Sequence, residues 1–439
     1  MTQASSQLTH LRVEKVVYGG SGLARAVESA EAGRPVFVPF TLPDEVVEAR
    51  IADDPGNIAV AAVEQIVQAS HDRVEPRCAH FGACGGCHYQ HASYEAQLRL
   101  KHNILYETLE RAGLEELPAI NVHSGEPWEY RNRVRLRVAK VDGKFRVGYL
   151  RRSSTEFLPI RMCPISAPLL WRAAEAFLAM GSNAAQWMAA TEEIELFTSA
   201  DQSMLQMTIF VRREPRGFSE FCETLKKDLP ELAGAGVALM ESAGHGRKSL
   251  RIRAGSAWGA DGLSYAVGNE NYWISRGGFF QVNRHIVAPL VELVTKGRSG
   301  KLAWDLYAGV GLFSRPLATT FAEVVAVEAA ANDLVRSFRG KGQRAIAATT
   351  LEFLRQAVLE RERPELVVMD PPRAGVGAEV CDLLSRVKAA EMVYVSCDPT
   401  TLGRDLKAVV DSGYRLHQLH LVDMFPQTFH QETVAVLRR

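Results

Sequence analysis

Ala303-Trp304-Asp305-Leu306-Tyr307-Ala308-Gly309-Val310-Gly311-Leu312 reads as a strand that runs into a glycine loop and on into a helix. The glycines permit a tight turn and close approach of the backbone to a ligand at the helix N-terminus. Asp305 stands ahead of them at the strand end. A second acid, Glu328, ends the next strand, where it is placed to accept both hydroxyls of a ribose. A dinucleotide fingerprint would carry a third glycine at 314, where Ser314 stands, so no pyrophosphate needs cradling. Around this segment, apolar runs at 302–306, 324–327, 366–369, 392–396 and 434–437 alternate with helical stretches. That alternation predicts a parallel sheet with crossover helices: an α/β, doubly wound, Rossmann-like domain over residues 276–439.

The chain has 439 residues, enough for two or three domains, and its hydrophobic content of 47% is ample for their cores. Formal net charge is zero, so any nucleic-acid surface must be a local patch. The start, MTQASSQLTH, lacks the basic flank and apolar core of a signal peptide, and no apolar run approaches a membrane span. These readings predict a soluble, cytoplasmic protein with no membrane partner, and nothing in the sequence calls for an obligate protein partner.

Residues 10–68 read as short alternating strands with a turn at Gly19, Gly20 and Gly22, the pattern of a small β-barrel. Residues 71–91 form a loop rich in His, Cys and Gly. A helix is predicted over 93–112, with Leu98, Leu105 and Leu109 on one side and Gly113 as its stop, as a candidate to pack on the catalytic domain. A second β-rich region runs from about 120 to 270, and 182–190 reads as a helix edge or loop. The expected division is a barrel over 1–70, a cysteine loop over 71–91, a central RNA-binding domain over 92–275 and the catalytic domain over 276–439.

Seven cysteines in a long chain without a signal peptide argue against a disulfide framework. Cys78, Cys84 and Cys87 are three quarters of a metal site, and Cys163 is a candidate fourth ligand. Four thiolates suit zinc or an iron–sulfur cluster, and His80, His88 and His91 leave a Cys3His zinc site open. Arg131, Arg133, Arg135 and Arg137 alternate with Asn132, Val134, Leu136 and Val138. That spacing puts the arginines on one strand face, suited to a phosphate backbone unless interspersed ion pairs balance them. Asp142-Gly143 then reads as a hairpin turn.

Cys397, in VYVSCDPTTLGRDL, follows a buried strand; Asp370-Pro371-Pro372-Arg373 follows another; Glu432 stands alone in HQETVAVL. A thiol with a base is what methylation of a pyrimidine carbon needs, because the ring carbon is a poor nucleophile until a thiolate has added to its neighbour. The alternative is that Cys397 is a small buried hydrophobe and Glu432 a solvated acid.

The D-x-x-x-G-x-G form resembles motif I of class I methyltransferases that use S-adenosylmethionine. GGSGLAR followed by VFVPFTLPDEVVEARI resembles the TRAM domain, an OB-like RNA-binding barrel. With DLYAGVGLF, DPPR, SCDPTTLGRDL, DMFPQTFHQET and FFQVN (279–283) in place, the whole chain resembles the RNA uridine-5-methyltransferases. It is most similar to the bacterial branch that makes 5-methyluridine in 23S rRNA. The resemblance implies Cys397 as the nucleophile at carbon 6 and Glu432 as the base at carbon 5, with Asp370 beside cofactor and target base. It implies Gln281, Tyr307, Gly309, Gly311, Glu328 and Asp370 as cofactor contacts, and a [4Fe-4S] cluster on Cys78, Cys84, Cys87 and Cys163. Three positions depart from the family's usual residues: Asp44 replaces a glycine, Leu312 an asparagine, and Thr350 an amide or acid. The alternatives are a tRNA uridine-5-methyltransferase and, from another class, an RNA-binding or rRNA-folding factor whose chemistry is secondary.

Overall fold

Five short strands open the chain: Leu8–Val16, Ser21–Ala26, Val36–Pro39, Val46–Ala52 and Ala59–Gln68. In the computed structural model, which describes residues 8–27, 34–52, 59–242 and 250–439, they close into a barrel. The signal-peptide reading of the start therefore lies, up to residue 7, outside the described residues. Alternate residues such as Leu11, Val13, Val38, Val47 and Ala49 fill the interior, as the strand period of two requires. Asp44 keeps the turn that glycine would make: its φ is 68°, a left-handed conformation that Asp tolerates better than most residues. Next to it the buried Glu45 accepts from the Leu42 N–H (2.9 Å) and from Arg73 Nε (2.5 Å) and Nη2 (2.8 Å), tying the barrel to the loop that follows.

The predicted helix spans Tyr94–Arg111. Ser93 caps it by accepting from the Ala96 N–H, and it stops where Gly113 turns at φ 84°. Leu105 and Leu109 pack with Trp304, Leu306 and Tyr394, against the C-terminal sheet. Lys101 of this helix is fully buried. It donates to Asp423 Oδ1 (2.5 Å) and the Phe425 carbonyl (2.9 Å), while Tyr94 donates to Asp423 Oδ2 (2.8 Å). Both charges are out of water, and stranding either one would cost roughly 3–5 kcal/mol. The pair fixes the segment that leads from residue 423 to Glu432.

The central region holds a seven-stranded sheet whose middle pairs Arg133–Val141 with Thr191–Thr198. It is less purely β than its sequence suggested. The helices Pro168–Ala179 and Phe218–Asp228 cover one face, with Leu169, Leu170, Ala173, Ala174 and Phe177 buried at helical spacing. The second helix is the crossover between the parallel strands Leu205–Val211 and Leu232–Ser242. Residues 181–190 form a 3₁₀ turn and a short helix.

The last layer is an eight-stranded sheet. Gly300–Leu306, Phe321–Glu328 and Gln343–Ala347 step outward one way; Leu366–Met369 and Glu391–Ser396 step the other; all are parallel. Glu432–Arg438 and Arg415–Val422 then add antiparallel pairs. Ile120–His123, read from sequence with the central strands, instead pairs with Arg415–Val422 at this sheet's edge. Strand order reverses between Gly300–Leu306 and Leu366–Met369, and a ligand in such a sheet binds beyond the strand ends at that reversal. Asp305 and Asp370 stand there. Among the described residues no helix is long and apolar enough to cross a membrane.

Candidate active site

The glycine loop follows Gly300–Leu306 directly. Tyr307 turns at φ 61°, and Gly311, at φ 86°, comes so close to Leu334 that a Cβ there would lie 3.1 Å from its Cδ1. Space beyond Gly309 is open, since nothing lies within 4 Å of where its Cβ would stand. Glu328 reaches back across the loop: its Oε2 accepts from the Gly309 N–H (3.0 Å) and its Oε1 from the Ala330 N–H (2.9 Å). Ser314, at the position of the absent third glycine, has a structural use, donating its hydroxyl to Asp305 Oδ2. The other oxygen of this fully buried carboxylate has no partner among the described residues. Burial raises the pKa of the Tyr307 hydroxyl and Thr350 opposes that rise, while Leu312 is buried, its carbonyl accepting from Tyr272 (2.9 Å). An unpaired buried acceptor, open space above a glycine and an acid across the loop fit the amine, sulfonium and ribose of S-adenosylmethionine.

Across the strand-order reversal stand the groups suited to chemistry. Asp370 follows Leu366–Met369 and accepts from Gln281 Nε2 at 3.2 Å. Cys397 follows Glu391–Ser396, and Asp398 then caps the helix Pro399–Asp411. Glu432 opens the last strand, buried, with Oε1 unpaired among the described residues. The structure brings these three together closely enough to feel one another's charge. Burial first, then Glu432 and Asp370, push the Cys397 thiol up to about 11, with Arg373 opposing. Burial and Asp370 hold the Glu432 carboxyl well above the usual carboxylate range. Burial and Asp305 push Asp370 up to about 7, the Gln281 bond opposing. A base with so high a proton affinity suits removal of a proton from carbon.

These shifts set a pH dependence. A carboxyl whose pKa is raised on folding contributes stability that is fully present below its unfolded value, about 4, and is lost as pH climbs through the folded one. For Asp370 that window runs up to about 7. Asp370→Asn should therefore match the ligand-free wild type near pH 4 and exceed it in unfolding free energy above pH 7. An identical difference at both pH values would contradict the burial account.

The four thiols expected to bind metal, Cys78, Cys84, Cys87 and Cys163, line one cavity of about 420 Å³, and His80 lines it with them. His88 instead packs on Phe429 and His91 on Phe81. Burial raises the Cys78 and Cys84 pKa values and pushes Cys87 up to about 12, with Cys163 adding to each. Groups so raised are neutral thiols unless a bound cation favours their thiolate forms. Among the described residues no three ligands converge on a single-ion site. One zinc would require sulfurs about 2.3 Å from a common centre.

The arginine strand shows the ion pairs that its sequence reading left open. Val134, Leu136 and Val138 do point into the core, and the arginines take the opposite face. The positive charge there is not free, however. Arg135 and Arg137 both pair with Glu193, the latter at 3.3 Å, and Arg133 lies 3.6 Å from Glu195. Arg133 and Arg135 also stack over Phe197 and Phe210. Arg131, Arg133 and Arg135 also line the cysteine cavity. The balancing acids sit on Thr191–Thr198, a partner strand that no local pattern announces.

Other groups near these residues are given no role in the sequence reading. Phe279, two residues before Gln281, is 73% exposed. Gln431 is buried with both amide atoms unpaired among the described residues. Arg373 was quoted only as the end of DPPR, yet it is the cation facing both Cys397 and Glu432.

A glycine loop between acid-tipped parallel strands, with the reactive groups across the strand-order reversal, defines a class I methyltransferase that uses S-adenosylmethionine. The sequence profile described as tRNA (uracil-5-)-methyltransferase matches residues 346–439. An uncharacterized RNA methyltransferase of Streptomyces coelicolor is 34% identical, with 97% of this chain and 92% of that protein covered. A 23S rRNA (uracil(1939)-C(5))-methyltransferase of Shewanella amazonensis is 29% identical over 98% of this chain and 96% of that protein. In fold, the chain is similar to the Pyrococcus abyssi tRNA (uracil-54, C5)-methyltransferase, solved with S-adenosyl-L-homocysteine. The TM-score is 0.72, covering 97% of this chain and 100% of that one at 21% identity. The chain belongs to the RNA methyltransferases, and its residues 346–439 match the uracil-5 profile within them.

Proposed function

We propose that this enzyme methylates carbon 5 of a uridine in 23S rRNA through a covalent adduct between Cys397 and carbon 6. The observation that carries the reading is the convergence of Cys397, Glu432 and Asp370 at neighbouring strand ends beside the glycine loop, where Glu432 and Asp370 both oppose ionisation of the thiol and Asp370 opposes that of Glu432. S-adenosylmethionine, bound by Gln281, Tyr307, Gly309, Gly311, Glu328 and Asp370, supplies an electrophilic methyl group. The Cys397 sulfur, once deprotonated, forms a bond to carbon 6, and the ring electrons displaced to carbon 5 make that carbon nucleophilic. Carbon 5 would bond to the methyl group as the S–CH3 bond breaks, its electron pair staying on sulfur and leaving S-adenosyl-L-homocysteine. Glu432 then removes the carbon 5 proton, the double bond re-forms and the thiolate leaves. Asp370 holds the edge of the uracil, which must leave its stack to reach this depth.

In this reading residues 1–70, a TRAM-like barrel, and 71–275 serve RNA recognition, and 276–439 the chemistry. Arg131, Arg133, Arg135 and Arg137 enter in a reduced role, because three of them already pair with the two acids Glu193 and Glu195. The 23S assignment is supported by the Shewanella relative, which matches over nearly the full length. Its test offers purified enzyme protein-free 23S rRNA and unmodified tRNA side by side. We expect methyl transfer to the 23S RNA at a single uridine; transfer to tRNA alone would overturn the substrate while leaving the chemistry.

For the cysteine cavity we propose a [4Fe-4S] cluster held by Cys78, Cys84, Cys87 and Cys163. Four thiols lining one cavity support a metal centre there, and the resemblance to the uridine-5-methyltransferases favours the cluster over zinc. Protein purified anaerobically should be brown and contain iron and sulfide, and replacing any one of the four thiols should bleach it and lower its stability. A colourless protein with one bound zinc would overturn the assignment.

A further inference from the structure

Tyr18 belongs to the barrel's first hairpin turn, between Leu8–Val16 and Ser21–Ala26. Its hydroxyl donates to Asp398 Oδ2 at 3.0 Å, joining residues 380 positions apart. The other oxygen of the same carboxylate accepts from the Thr400 (2.9 Å) and Thr401 (3.0 Å) N–H groups and caps the helix behind Cys397. The Tyr18 ring meets Phe429 edge-on at 5.4 Å, on the segment that leads to Glu432. The turn sits tightly against both neighbours. A Cβ on Gly20 would lie 3.2 Å from His88 and 3.5 Å from Phe429. The barrel thus touches the chain immediately after the sulfur and just before the base.

We propose that Tyr18 is a positioning residue for the methyl-transfer reaction: by donating to Asp398 it fixes the strand end that carries Cys397 and disperses the negative charge beside the sulfur. The inference rests on Cys397 being the nucleophile. An anion next to a thiol opposes thiolate formation, and a hydrogen bond to that anion spreads its charge. The groups facing Cys397 are Glu432, Asp370 and Asp398, which oppose ionisation, and Arg373, which favours it; those facing Tyr18 are Asp398, Arg373 and Cys397 itself. With three acids against one cation, a neutral donor on one acid shifts the balance without adding a charge. A purely structural bond would dock the barrel and leave the sulfur's ionisation unchanged.

The test uses full-length Tyr18→Phe, which keeps the ring and its contact with Phe429. Alkylation of Cys397 by iodoacetamide is followed peptide by peptide across a pH series, beside kcat and KM for RNA methylation. The alkylation midpoint should rise by about half a unit to one unit, so the rate below it falls roughly three- to tenfold, with kcat falling in proportion. KM for RNA should stay within about twofold. In an Asp398→Asn background, where the charge is gone, Tyr18→Phe should add nothing further. An unchanged alkylation profile and kcat, with only a lower melting temperature, would overturn the proposal and leave a docking contact. Methylation surviving in Cys397→Ala would remove the basis of both this inference and the proposed mechanism; its loss, with an unmoved Tyr18→Phe profile, would sink this inference alone.

Discussion

Cys397→Ala should lose methyl transfer by on the order of 10⁴-fold or more, because without a sulfur adduct carbon 5 of uracil does not become nucleophilic. The loss should appear in kcat. Cofactor binding should survive, since Asp305, Glu328 and the glycine loop lie on other strand ends and make no hydrogen bond to Cys397 among the described residues. The alanine fits where the thiol stood, so folding should be little changed. Binding of S-adenosyl-L-homocysteine by calorimetry and methylation with labelled donor separate the two functions. Retained methylation would end the covalent mechanism. Loss of both together would mean the substitution had damaged the fold.

Glu432→Gln should behave differently. The amide keeps the size of the carboxyl in its buried position but cannot take a proton, so addition and methyl transfer proceed while release fails. Turnover should drop by roughly 10²–10⁴-fold, the usual weight of a general base. A denaturation-resistant enzyme–RNA species should accumulate, visible as a shifted band under denaturing electrophoresis. Removal of an acid that opposes Cys397 ionisation should also make the thiol easier to deprotonate in this variant. Inactivity without any adduct would give Glu432 another role.

Much of the fold could be read in the sequence because its signals are local. Five strands of the C-terminal sheet carry the apolar runs at 302–306, 324–327, 366–369, 392–396 and 434–437, and Leu366–Met369 is buried at every position. The helix Tyr94–Arg111 carries its own cap and stop in Ser93 and Gly113. The hairpin at Asp142-Gly143 forms with both residues at positive φ and Val141 paired to Lys144. What stayed hidden was pairing between distant segments. Ile120–His123 is four residues with mostly half-exposed or exposed positions, so nothing local ties it to Arg415–Val422. Glu193 and Glu195 offset part of the arginine strand's charge from a neighbour that becomes adjacent only on folding. Lys101 looked like one more charge on a helix, yet it is among the most deeply buried side chains, because Asp423 lies opposite it.

The candidate site divides the same way. Asp305, Gly309, Gly311, Asp370, Cys397 and Glu432 each sit at a strand end that the apolar pattern located in advance. Their convergence depends on strand order, which brings the ends of Gly300–Leu306, Leu366–Met369, Glu391–Ser396 and Glu432–Arg438 side by side. Arg373, Tyr18 and Phe429 acquire meaning only from that convergence, since each acts on a neighbour far away in sequence.

The covalent account is tested most directly by RNA carrying 5-fluorouridine at the target position. Fluorine at carbon 5 cannot be removed as a proton, so the enzyme should stop after methyl transfer, still bonded to the ring. Digestion and mass spectrometry should find one adduct, on the peptide containing Cys397, with the mass of the nucleotide plus the transferred methyl group. An adduct on another residue, or methylated RNA released with no adduct at all, would contradict the mechanism.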